Sequence, residues 1–137
     1  MRTTVRAALA AAGLVAVVGT AIAADMTGDE IKAFTSGKTV YIETTPESVT
    51  GKAGQGVIYW AADGTALYKT PTGALWHGKR EIKGNTNCTD WKEKQPPGPC
   101  TRWDKTGDTY TIIDAASGKL RAKVVKTAPG NAEKLGP

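Results

Sequence analysis

The chain has 137 residues, a formal net charge of +5 and an aromatic set of four Trp, four Tyr and one Phe. That length suits one ordinary domain with a modest core. The basic surplus is small and scattered along the chain, which excludes the dense cationic clusters that grip nucleic-acid phosphates.

In chain order, Arg2 and Arg6 make a short cationic start, and residues 7–19 form an uncharged run of Ala, Leu, Val and Gly. The run is shorter than the roughly 20 apolar residues that cross a bilayer core, but it suits the apolar region of a signal peptide. Ala21 and Ala23 supply the small-x-small pattern for cleavage after Ala23. No Cys follows the apolar run and no twin arginines precede it, which points to export of an unfolded chain by the Sec-type route. Residues 1–23 are therefore expected to be a secretory signal, leaving a mature protein without a membrane span, in the periplasm or secreted. The mature part, 114 residues from Ala24, keeps 16 basic against 13 acidic residues.

Residues 27–36 are predicted as the one helix. Thr27-Gly28-Asp29-Glu30 matches a capping box, Ile31 and Phe34 give a narrow apolar face, and Gly37 suits the helix end. After it, turn residues recur at short intervals: Pro46, Asp63-Gly64, Pro71-Thr72-Gly73, Thr106-Gly107-Asp108 and Ser117-Gly118. Between them, residues 38–45, 56–61, 65–70, 74–83, 100–105, 109–115 and 119–126 read as strands, the last with Leu120, Ala122 and Val124 on one face. That rhythm predicts an all-β antiparallel barrel or sandwich of about 7–8 strands with one short N-terminal helix. Its bounds are 24–126, with 127–137 as a C-terminal tail.

Cys88 and Cys100 are the only cysteines. In an oxidising compartment they are expected to form a disulfide; a metal site would need more partners than one His and no CxxC offer. No catalytic or cofactor constellation is found. His77, the sole histidine, has no nucleophile placed beside it by sequence, and CxxCH is absent. The carboxylates are dispersed, and Asp63 and Asp108 stand in turn signals, where Asp serves backbone geometry. The sequence therefore points away from an enzyme, a metal or a cofactor. Asn87-Cys88-Thr89 matches a glycosylation sequon, to which a bacterial-type signal gives no weight.

The aromatics are the remaining material for a function. If Cys88 and Cys100 lie on neighbouring strands, residues 89–99 form a loop pinned at its neck, presenting Trp91 between polar residues with Lys92 and Lys94 beside it. A preorganised loop with an aromatic anchor limits the ordering cost of binding. Alternatively, Trp60, Tyr68 and Trp76 could line a cavity for a small apolar ligand, as in lipocalin-like barrels.

Several segments together resemble a family of small exported proteins of Gram-negative bacteria, catalogued as a domain of unknown function. These are the opening Thr27–Val40 segment, the strand ending in Trp60, Asp63-Gly64, Trp76-His77-Gly78, the Cys88 and Cys100 pair, and Gly130-Asn131. The resemblance implies a periplasmic β-barrel-like domain and assigns no catalytic residues. The expected function is thus an exported binding or interaction module for a periplasmic or envelope protein, with the small-ligand carrier as the alternative.

Overall fold

The structure, a computed structural model, describes residues 22–94 and 98–136. Most of the predicted signal, and 95–97 of the predicted binding loop, lie outside the described residues.

A two-residue strand β1 (Ala24–Asp25) leads into helix α1 (Gly28–Thr35). Eight longer strands follow: β2 (Lys38–Thr44), β3 (Gly54–Trp60), β4 (Thr65–Lys69), β5 (Leu75–Lys83), β6 (Thr86–Trp91), β7 (Cys100–Thr106), β8 (Thr109–Asp114) and β9 (Leu120–Pro129). Each pairs antiparallel with the next, and β9 returns to β2, so the sheet closes into an up-and-down barrel. Closure removes the sheet edges that would otherwise be exposed to other chains.

The seam between β6 and β7 is the shortest. Only Asn87 opposite Thr101 and Cys88 opposite Cys100 are in register there. The expected disulfide joins that second pair, and β1 continues the ladder along β7, with Ala24 opposite Lys105 and Asp25 opposite Asp104. The short strand completes an edge that β6 leaves uncovered.

The helix forms as its sequence requires. Thr27 Oγ1 accepts from the Glu30 amide at 3.2 Å, and Glu30 Oε2 accepts from the Thr27 amide at 2.8 Å. The helix ends at Gly37, whose φ of 70° lies in the left-handed region that Gly adopts without strain. Ile31 and Thr35 are fully buried, and Phe34 stacks on Tyr110 at 4.2 Å between ring centroids. A helix of eight residues is not stable alone, so its docking on the barrel end holds it.

Two boundaries differ from expectation. The last strand continues to Pro129 because Thr127, Ala128 and Pro129 stay in register with Val40, Thr39 and Lys38. The tail proper starts at Gly130 and folds over the outer wall: the Thr39 hydroxyl donates to the Gly130 carbonyl at 2.6 Å, and the Tyr41 hydroxyl donates to Glu133 at 2.5 Å. Strand β6 falls partly inside what the sequence suggested as a loop.

Candidate functional site

The barrel interior is built from rings set against small residues. Trp91 projects inward from β6 and is only 7% exposed. It touches three other aromatics, with centroids 6.3 Å from Trp60, 5.8 Å from Tyr68 and 6.1 Å from Trp76. Tyr68 and Trp76 meet edge to face at 5.6 Å, the geometry their ring quadrupoles favour. Glycines make the room: a Cβ on Gly56 would stand 2.8 Å from the Tyr68 ring, and one on Gly78 would stand 2.8 Å from the Trp91 ring. The three residues expected to line a pocket are thus brought together, with Trp91 filling the space between them.

That placement corrects the reading of Trp91 as an exposed anchor. It is the last residue of a strand, in phase with inward-facing Asn87 and Thr89, so its ring enters the core. Lys92 and Lys94 stay exposed beyond it.

Polar groups accompany the rings. Arg80 reaches the end of α1, donating to the hydroxyls of Thr35 and Ser36, and its guanidinium lies 5.1 Å from the Trp60 ring centroid. No carboxylate pairs with it among the described residues. Trp60 Nε1 and Asn87 Oδ1 are buried without a hydrogen-bond partner among the described residues.

Two acid-bearing arrangements bear on catalysis. His77 Nδ1 lies 2.5 Å from Glu93, whose other oxygen accepts from the His77 amide at 2.7 Å. The contact with the imidazole holds the Glu93 carboxyl below its usual range. Among the described residues no hydroxyl or thiol is hydrogen-bonded to this pair of side chains. On β7, the strand next to β6, Asp104 faces Asp25 across the β1–β7 ladder, beside a groove of about 360 Å³ that Phe34 and Tyr110 help to line. Hydrogen bonding between the two carboxyls depresses Asp25 and raises Asp104, and Arg102 at 2.6 Å supports the Asp25 charge.

The larger concavity, about 570 Å³, lies on the outer wall across β4, β3, β2 and β9. Register builds it. Lys69 is directly opposite Val57, Val57 opposite Tyr41, and Tyr41 opposite Lys126. Directly paired residues share a face of the sheet, so these four form one outward row perpendicular to the strands. A β-bulge in β9 adds to it: Tyr41 pairs with Lys126 and Ile42 with Val124, leaving Val125 as the extra residue, 55% exposed. Lys126 lies over the Tyr41 ring at 4.5 Å, while the hydrogen bond to Glu133 fixes the phenol and raises its pKa. Sequence reasoning missed this row, because it depends on pairing register and on the bulge, and neither leaves a local motif.

Among the described residues no group of three or more His, Cys, Asp or Glu is placed to hold a metal ion, and no helix is long and apolar enough to cross a membrane. No protein-family model, curated protein or solved structure matches this chain.

Proposed function

We propose that this chain is an exported, non-catalytic binding module that holds its partner on the outer wall of a packed barrel. The observation that carries this reading is the contrast between the two faces of the sheet. Inside, four aromatic rings interlock against glycine; outside, a groove of about 570 Å³ exposes Val125 and two lysines. That volume falls in the range of small recognition sites, which combine an apolar floor with a few placed polar groups. The predicted signal and the resemblance to exported bacterial proteins support a location in the periplasm or beyond it.

The test is a photo-crosslinking amino acid placed at Val125, with Ile113 on the outward face of β8 as the control position. In the native host, the expected result is one discrete adduct at position 125 and none at 113. Equal labelling at both positions, or none at either, would defeat the proposal.

A second reading, the carrier of a small ligand within the barrel, draws on one specific observation. Among the described residues, the interior holds a cation with neutral partners only, beside an unpaired indole N–H and an unpaired amide oxygen. Buried polar groups of this kind are costly unless they are paired. Native mass spectrometry of the protein from its own source separates the readings. An added mass lost on denaturation supports the carrier; a bare protein supports the outer wall.

A further inference from the structure

We infer that the outer groove takes an extended acidic peptide segment in which two carboxylate side chains, four residues apart, flank an apolar one. This inference rests on the binding-module reading and specifies its partner.

The argument is geometric. Lys69 and Lys126 stand at the two ends of the cross-strand row, and Val57 and Tyr41 lie between them. Three strand spacings separate the backbones of the terminal pair, about 14 Å at 4.7–4.9 Å each. An extended chain rises about 3.3 Å per residue, so residues i and i+4 stand about 13 Å apart. Residues i, i+2 and i+4 of such a chain also point to one side. A segment laid across the strands therefore sets its first acid at Lys69, its central apolar side chain between Val57 and Tyr41, and its second acid at Lys126 beside the bulged Val125.

Charge supports the same occupant. The residues that line the groove include two lysines and no acid. Neither lysine is ion-paired among the described residues. Two acids stand at its margin: Glu133 is held by the Tyr41 hydroxyl, and Glu43 lies on the same face opposite Lys123. Lys126 is also held in place over the Tyr41 ring, which lowers the ordering cost of using it. The closed barrel leaves no free strand edge here, so side chains rather than backbone pairing must carry recognition.

The experiment titrates the purified protein with three labelled heptapeptides: Gly-Glu-Ser-Val-Ser-Glu-Gly, the same peptide with Lys for both Glu, and the same with Ser for both Glu. Anisotropy gives affinity and amide chemical shifts give location. The acidic peptide is expected to bind best, weaken with added salt, and perturb residues around Val57 and Val125. The double variant Lys69→Glu/Lys126→Glu is expected to lose about tenfold for the acidic peptide and to gain for the basic one. Both lysines are exposed, so circular dichroism should show an unchanged fold, and Lys69→Arg/Lys126→Arg should retain binding. If the Ser peptide binds as well as the acidic one at the groove, the charge argument falls while the site stands. If decanoate perturbs the groove and no peptide does, the occupant is an anionic amphiphile and the inference is overturned. If neither probe touches the groove and crosslinking at Val125 also fails, the inference and the site fall together.

Discussion

At the scale of single residues, Trp91 is the hub of the interior, since it alone contacts each of Trp60, Tyr68 and Trp76. Its truncation should behave like other buried Trp losses. Trp91→Ala is expected to cost about 3–5 kcal/mol in denaturant-induced unfolding. A loss under about 1 kcal/mol would show that the ring can leave without a cavity forming. The aromatics were visible in the sequence, but their directions were not. In β6 the inward positions before Trp91 are Asn87 and Thr89, so the strand lacks the apolar alternation that signals a half-buried strand. The same polar content made it read as a loop, and the ring that follows read as a surface anchor. Lys69 and Lys126 were still less legible, being 57 positions apart and joined only by pairing register.

At the scale of elements, the pieces with local chemistry were the ones the sequence disclosed. The capping box located α1, and Asp-Gly, Pro-Thr-Gly and Ser-Gly turns located most of the strands. Two-residue β1 carries no such signal and exists only because β7 offers a ladder to join. The β8–β9 turn shows how one such piece is held. Asp114 accepts from the Ser117 hydroxyl at 2.6 Å and its amide at 2.9 Å, and meets Arg121 at 2.6 Å. Arg121 also donates to the Gly98 carbonyl, tying the end of the β6–β7 connection to this turn. The bond from Ser117, with help from Arg121, holds the Asp114 carboxyl below its ordinary value. A depressed folded-state pKa contributes stability that is present above the unfolded value, near 4, and is lost as pH falls through the folded value. Asp114→Asn should therefore be less stable than the parent at pH 7, with the gap narrowing steadily below pH 4 in thermal melts. A gap of constant size from pH 7 to pH 2 would show that charge at Asp114 contributes nothing.

At the scale of the whole molecule, the meander makes almost every strand pairing local. Seven of the eight seams of the closed barrel join strands adjacent in the chain, and only β2 with β9 brings distant segments together, as when Val40 meets Thr127. Closing a long loop costs more entropy than closing a hairpin, and the difference is met before the contact repays it. The hairpins are therefore expected to form first and the β2–β9 seam last. Pulsed hydrogen exchange during refolding should show amides of the β3–β4 and β7–β8 hairpins protected ahead of those in β9 that bond to β2. Simultaneous protection would refute that order. The groove straddles the late seam: Lys69, Val57 and Tyr41 come from the hairpin side, while Val125 and Lys126 arrive only with β9. A chain still in the course of folding, or one nicked so that the cylinder gapes, has only half of this groove. On the proposed reading, recognition on this wall doubles as an inspection of the finished product, and a partner docked there would hold only copies whose last seam has shut.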